Sequence, residues 1–448
     1  MTQVQVAFGT TDQANERTLT YTNNGRLQTL KDAESNLTTY EYDGHDRLLK
    51  TRYPMPTKGA NASSTTDYEQ LGYDANGNVT SRRLRDATSI AFTYDNLNRP
   101  TLKDLPGSEP DVTYGYDNLG RLTSASQTGN NLSFTYDALG RNLTQAGPQG
   151  TVASQWDIAG RRTRLTYPGS GLYVDYDYLV TGEMAKIREN GATSGIGVLA
   201  TFAYDDLGRR TSLTFGNGAS QDYSFDAVSR LSSLTANLAG TTNDLSIGSV
   251  AYNPASQILS ASRSNDAYAW TGSVAVNRNY ASNGLNQYGA AGPASFTYDA
   301  RGNLTSDGSV TFGYSSQNQL ISASGALNAS LSYDPAMRLY QVTSGPTTAR
   351  FAYDGLATIA EYDGSNALQR RFVYGPGVDE PVVQYEGTGT ATPRFLHADE
   401  RGSIVAVSDA SGNLFAANSY DEYGIPATSG SLVTNTGLFQ YTGQAYIP

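Results

Sequence analysis

The chain has 448 residues, with 31 Lys and Arg against 42 Asp and Glu, a formal net charge of −11 and a sequence pI near 4.7. That balance argues against a general nucleic-acid binder, which needs a basic face. The absence of cysteine and the presence of only two histidines, His45 and His397, exclude disulfides, zinc–thiolate centres, a cysteine nucleophile and a poly-histidine metal site.

Tyrosine, at 32 residues, outnumbers Phe, Trp and Met together, and glycine reaches 46. Tyr is a strand former with an apolar ring and a polar tip. A chain rich in Tyr, Thr, Ser, Gly and Asn is therefore predicted to be short strands joined by turns. No window holds apolar residues at sustained three- and four-residue spacing, so no long helix is expected. No run approaches the roughly 20 apolar residues of a membrane helix. Met1-Thr2-Gln3-Val4 begins no basic segment followed by an apolar core, so no secretory signal peptide is visible.

From the N-terminus, Tyr-Asp pairs stand at Tyr42-Asp43, Tyr73-Asp74, Tyr94-Asp95, Tyr116-Asp117, Tyr136-Asp137, Tyr176-Asp177 and Tyr204-Asp205. Trp156-Asp157, Phe225-Asp226 and Tyr252-Asn253 fill gaps. The pair returns at Tyr298-Asp299, Tyr333-Asp334, Tyr353-Asp354, Tyr362-Asp363 and Tyr420-Asp421. From Tyr116 to Tyr136 to Trp156 to Tyr176 each step is 20 residues, which marks a repeat array.

The clearest copies hold Tyr116, Asp117, Gly120 and Arg121; Tyr136, Asp137, Gly140 and Arg141; and Tyr204, Asp205, Gly208 and Arg209. An Asp opening a turn accepts backbone N–H groups two residues on. Gly three positions later suits a type I turn or the left-handed residue of a bulged hairpin. Tyr and Arg-Leu then flank the turn on paired strands, where cross-strand pairs contribute roughly 0.2–1 kcal/mol each, and the ring offers its face to the guanidinium. These twelve residues are the candidate site, as a structural motif; no catalytic, cofactor or metal residue is assigned. Asp46, Asn98, Ser229, Ser256 and Met337 occupy the Gly position in other copies. Asn and Asp tolerate positive φ and Met does so poorly, so a different turn is expected at Met337. Residues 54–67, 188–199 and 236–294 blur the period and are expected to be longer loops or degenerate repeats.

Several residues invite sharper chemistry. The many aspartates suggest paired carboxylates acting on sugars, but nearly all follow a Tyr at the repeat period, which favours turns. Asp74-Ala75-Asn76-Gly77-Asn78 and Asp409-Ala410-Ser411-Gly412-Asn413 resemble half a calcium loop, yet the twelfth positions are Arg85 and Tyr420 where Glu is required. His397 lies near Asp399 and Glu400 with no Gly-x-Ser-x-Gly nucleophile motif, which favours a structural histidine. Gly375-Pro376-Gly377 has no following Gly-Lys-Ser/Thr and reads as a turn. Tyr and Trp on an open face suit sugar stacking as well as packing between repeats.

Near the C-terminus four further blocks follow in order: Arg370-Arg371-Phe372-Val373-Tyr374-Gly375-Pro376-Gly377-Val378-Asp379-Glu380-Pro381, His397-Ala398-Asp399-Glu400-Arg401-Gly402-Ser403-Ile404, Tyr420-Asp421-Glu422-Tyr423-Gly424-Ile425-Pro426, and Phe439-Gln440-Tyr441-Thr442-Gly443-Gln444. Together with the Tyr-Asp repeats these residues resemble bacterial Rhs/YD-repeat proteins and their repeat-associated core, relatives of the teneurin YD shell. The resemblance implies a spiralling β-sheet that closes around a C-terminal toxin, an aspartate-dependent self-cleavage motif of the form Asp-Pro-x-Gly, and upstream domains for secretion. Asp334-Pro335-Ala336-Met337 does not match that motif and none follows it, so no catalytic residue of the family carries over. The chain is expected to be a piece cut before the self-cleavage motif.

The expected fold is all-β: a YD-repeat hairpin array forming a continuous curved antiparallel sheet, with repeats over residues 1–345 and an incomplete core over 346–448. The expected function is that of an encapsulating shell fragment used in intercellular competition. It is a non-enzyme without cofactor, exported as part of a larger protein, whose partners are the enclosed toxin and the secretion machinery. The alternative is a secreted or cell-surface adhesion module that binds carbohydrate.

Overall fold

The computed structural model describes residues 2–447 except 7, 8, 10, 12, 170, 274 and 427–434. Met1 and Pro448, the ends on which the expectation of a truncated chain rests, lie outside the described residues. Among the described residues there is no α-helix, only single-turn 3-10 segments such as Gly195–Gly197 and Tyr441–Gly443. The rest is antiparallel strands, most of five to eight residues, joined by tight turns, so the all-β reading holds.

The chain forms two compact units, each drawing on an early and a late stretch of sequence. The first holds Met1–Leu132 and Val276–Thr348. Its early stretch is a meander in which each strand pairs with the next: Ala14–Tyr21 with Leu27–Asp32, Leu37–Tyr42 with Leu48–Pro54, Ser89–Tyr94 with Pro100–Asp104, and Val112–Tyr116 with Leu122–Gln127. The late stretch repeats the pattern, as in Val310–Tyr314 with Leu320–Gly325 and Ala329–Tyr333 with Leu339–Ser344. The two stretches meet along a polar seam. Asn36 donates to Asn286 (3.2 Å), Arg85 to the Arg301 carbonyl (3.0 Å), and Gln127 to the Tyr333 carbonyl (2.6 Å). Among the described residues Leu84, Ile90 and Leu105 form a buried apolar cluster here, and Val112, Ala125, Val310, Ala323 and Val342 are buried as well.

The second unit holds Ser133–Ala275 and Ala349–Pro448. Its core joins Leu165, Val174, Ile187, Leu199 and Leu213 of the early stretch to Ile359, Val373, Val383, Tyr385 and Phe395 of the late one. Phe215 meets Phe395 edge-on at 5.8 Å. Strands Pro381–Glu386 and Ile404–Ser408 are buried on both faces, which accounts for their nearly continuous apolar sequence. Several polar groups caught in this core are paired: Tyr167 OH donates to the Phe372 carbonyl (2.7 Å) and Tyr385 OH to Glu189 (2.7 Å), whereas Tyr362 OH, Gln384 Oε1 and His397 Nδ1 are buried without a hydrogen-bond partner among the described residues. Arg162 pairs with Asp354 (2.5 Å), and Arg210 with Glu380. Burial pushes the Tyr176 hydroxyl up to about 12.

The stretches that blur the period contain both loops and strands. Within 54–67 the strand Ser63–Tyr73 begins, and within 236–294 lie Leu245–Tyr252, Ile258–Arg263 and Tyr288–Ala291. Met337 corrects an expectation. It takes φ +66°, and the turn closes as in the glycine copies, with Met337 N–H on the Asp334 carbonyl (2.8 Å) and Asp334 N–H on the Arg338 carbonyl (2.9 Å). The fixed ends of the turn outweigh the steric cost of a side chain in the left-handed region.

Candidate functional site: a staple repeated along the ladder

Most Tyr-Asp copies build the same object, with two exceptions. Asp177 lies within strand Tyr173–Tyr178 and pairs with Arg188, so that the turn falls two residues on, from Leu179 to Glu183 after Tyr178, and Asp354 ends strand Thr347–Asp354 and pairs with Arg162. In the copy at 116–122 the strands pair Gly115 with Ser124 and then Tyr116 with Leu122, so a bulge absorbs one residue. Asp117 N–H donates to the Arg121 carbonyl and Gly120 N–H to the Asp117 carbonyl, both at 3.0 Å, with Gly120 at φ +82°. This is a three-residue hairpin loop with a left-handed closing residue.

The Asp side chain staples that loop. Asp117 Oδ1 accepts the N–H groups of Leu119 and Arg121, each at 2.9 Å, while Oδ2 accepts Arg121 Nε at 2.6 Å. Asp137 does the same with Leu139 and Arg141 (2.9, 2.9 and 2.6 Å), and Asp205 with Leu207 and Arg209 (3.0, 2.9 and 2.7 Å). Gly140 and Gly208 take φ +83° and +73°. The Arg121 backbone N–H, then its guanidinium, hold the Asp117 carboxyl below its ordinary range, and the Arg209 guanidinium does so for Asp205.

The Tyr and Arg link one copy to the next. The guanidinium lies over the ring of the following copy: Arg47 over Tyr73 (4.3 Å), Arg99 over Tyr116 (4.7 Å), Arg161 over Tyr178 (4.8 Å) and Arg230 over Tyr252 (4.4 Å). Arg209 covers Phe225 (4.9 Å) in the same way. Arg Nη1 then reaches the next turn, as from Arg99 to the Asp117 carbonyl (3.0 Å) and from Arg141 to the Asp157 carbonyl (2.6 Å). The Tyr hydroxyl reaches back: Tyr116 OH to the Pro100 carbonyl, Tyr204 OH to Met184, each 2.9 Å, and Tyr252 OH to Leu231 at 2.7 Å. Trp156 Nε1 makes the equivalent bond to Asn142 (2.8 Å). The expected contact across one hairpin is thus a contact between successive hairpins, because the bulge turns the Arg side chain toward its neighbour.

Some staples escape a search for Tyr-Asp. Asn283 Oδ1 accepts the N–H groups of Leu285 (2.9 Å) and Gln287 (3.0 Å), and Ser315 Oγ accepts those of Gln317 and Gln319, both at 3.2 Å. Asn286 and Asn318 fill the left-handed position at φ +58° and +60°. The turn needs an oxygen at its first position and a residue tolerant of positive φ at its fourth, so Tyr314-Ser315 and Asn283 were legible by that broader rule.

The other candidate residues also land in turns. Asp74 Oδ1 accepts Asn76 and Asn78 N–H (2.9 Å each), and Asp409 Oδ1 accepts Ser411 (2.8 Å) and Asn413 (3.0 Å). Gly377 N–H donates to Glu380 Oε2 (2.7 Å), which closes the Gly-Pro-Gly loop. His397 is fully buried, with Nε2 2.8 Å from Ser408 Oγ and its ring 4.7 Å from Phe215. Burial holds its pKa down to about 3. Asp399 turns away, accepting Arg401 and Ser403 N–H (2.9 Å each), and Glu400 pairs with Arg263 (3.0 Å). Among the described residues no three His, Cys, Asp or Glu side chains gather to hold a metal ion.

The family model described as Teneurin YD-shell matches residues 2–154. Over 169 residues the chain is 28% identical to the tRNA3(Ser)-specific nuclease WapA of Bacillus spizizenii and 27% to the tRNA nuclease WapA of Bacillus subtilis strain 168. Each alignment covers 36% of this chain and 7% of the relative. In fold it is similar to the Tc holotoxin pore of Photorhabdus luminescens, with TM-score 0.58 and 14% identity over 92% of this chain and 27% of that one. It is similar also to the TcdB2-TccC3 crystal structure, with TM-score 0.54 and 15% identity over 97% of this chain and 29% of that one. The chain spans a small part of each relative's length, and at these identities the structural likeness is one of fold.

Proposed function

Since the chain is a YD-repeat protein of the Rhs kind, we propose that it is part of the wall of a shell that encloses a C-terminal toxin and is exported with it for intercellular competition. The observation that carries this reading is the staple repeated along the ladder, with the Arg–Tyr latch joining several successive copies. Carboxylates, guanidiniums and tyrosine hydroxyls are largely spent on turns and on neighbouring repeats, so the residues that would do chemistry are used to make a wall. The His397–Ser408 pair is sealed in the core, which supports a structural role rather than catalysis. The carbohydrate-binding alternative has less support, since the Tyr hydroxyls that would recognise sugar are engaged by carbonyls of the adjacent repeat.

We further propose that residues 346–448 act as the repeat-associated core and that the twelve motif residues serve as structural repeat positions. The test is the reading frame past Pro448. It is predicted to run through Asp-Pro-x-Gly into a variable tail, with that tail resistant to protease in the native full-length protein. A frame leading to a surface anchor, or a tail digested at the rate of unfolded chain, overturns the reading.

A further inference from the structure

We propose that a cavity in the first unit, of about 400 Å3 and bounded by Lys103 and Glu109, binds a small zwitterion whose carboxylate meets Lys103 and whose ammonium meets Glu109. The cavity lies on the polar seam between strand Pro100–Asp104 with its following loop and the turns around Gln317 and Asp334. Its volume falls within the range of small-molecule sites, roughly 300–1,000 Å3.

Lys103 is the anomaly that points there. It is 8% exposed, yet among the described residues the one hydrogen-bond partner of its Nζ is the neutral Gln317 Oε1, at 2.5 Å, and it joins no ion pair. A buried ammonium without a counter-charge is costly, and burial correspondingly lowers the pKa of Lys103. Two of its three N–H donors remain for a ligand. Every other carboxylate in the lining is accounted for. Asp334 is bound by Arg338 (2.6 Å), while Glu109 receives only the N–H and hydroxyl of Ser316, each at 2.7 Å. Those bonds leave Glu109 its charge and spare lone pairs. Lys103 and Glu109 make no ion pair with each other, so the lining presents one cation and one anion, separately. A purely anionic ligand would face Glu109, and a purely cationic one would face Lys103. A molecule carrying both charges satisfies both, and the amides of Gln127 and Gln317 suit peptide-like polar groups.

The test uses the intact chain with 13C-lysine. Its five lysines, at positions 31, 50, 58, 103 and 186, give five Cε resonances, that of residue 103 being assigned with Lys103→Arg. The probes are L-alanyl-L-alanine, its N-acetyl form lacking the ammonium, and its amide lacking the carboxylate. A saturable shift confined to the Lys103 resonance, strongest for the free dipeptide, is expected. Glu109→Gln should weaken the free dipeptide roughly tenfold, the scale of one charge-assisted hydrogen bond, and leave the N-acetyl form unchanged. The proposal is overturned by the absence of a saturable Lys103 shift, by equal binding of the free and N-acetyl forms, or by equal shifts at exposed lysines.

Discussion

Acid should weaken the second unit through one side chain. His397 is neutral and fully buried in the fold, with a pKa near 3, against an ordinary value of 6.5. Between those values the unfolded chain binds one proton more than the folded chain, so stability is fully present above about pH 6.5 and is lost as pH falls toward 3. The slope is about 1.4 kcal/mol per pH unit. From pH 7 to pH 5 the loss is about 2 kcal/mol, or roughly a twenty-five-fold change in the folded-to-unfolded ratio. The turn aspartates do not share this window. Asp117 and Asp205 are held below the ordinary carboxylate value of 3.8, so their contributions are lost only as pH falls from about there downward. Both tryptophans, Trp156 and Trp270, lie in the second unit, so urea unfolding followed by tryptophan fluorescence at pH 7, 6 and 5 reads the right region. His397→Asn should abolish most of the pH dependence, whatever its own stability. A wild-type midpoint that does not move from pH 7 to 5, or a variant that loses as much as wild type, refutes the reasoning.

Three further outcomes follow from the staple and the core. Tyr204→Phe removes the hydroxyl bonded to Met184 and should cost about 1 kcal/mol, read from the same fluorescence midpoint. Met337→Gly relieves a left-handed Met, itself half-exposed; the relief of roughly 1–2 kcal/mol exceeds the added chain entropy, so calorimetry should show a rise of about 2 °C. Glu380→Gln leaves Arg210 among Phe202 and Tyr223 without its carboxylate and should cost about 2 kcal/mol in urea; an unchanged midpoint would remove this pair from the account.

The repeat and its turn chemistry were readable in sequence because the requirements are local: an oxygen at the first turn position, positive φ at the fourth, and an aromatic before it. Met337 and Ser315 show the limit of that reading. The backbone at a staple is fixed by both its ends, so the turn survives residues whose intrinsic preference opposes it. Asn283 stands outside the Tyr-Asp pattern because Ser282, not an aromatic residue, precedes it, although its amide oxygen staples the turn as that of Asn253 does. The Arg-over-Tyr latch was placed within one hairpin because sequence shows adjacency along the chain and not the bulge that redirects Arg99 onto Tyr116. Nothing local announced the burial of His397 or Lys103. Both depend on contacts between stretches more than 100 residues apart, as between Phe215 and His397 or Lys103 and Gln317, and periodicity carries no information at that range.

The central claim, that neighbouring repeats hold one another through the Arg–Tyr latch, is tested most directly by double-mutant cycles in the second unit. Arg230→Met with Tyr252→Leu probes adjacent copies whose groups lie 4.4 Å apart; Arg161→Met with Tyr252→Leu probes copies that do not touch. A coupling of about 0.5–1 kcal/mol in the first cycle and none beyond about 0.3 kcal/mol in the second is predicted. Equal couplings in both cycles, or none in the first, would contradict it.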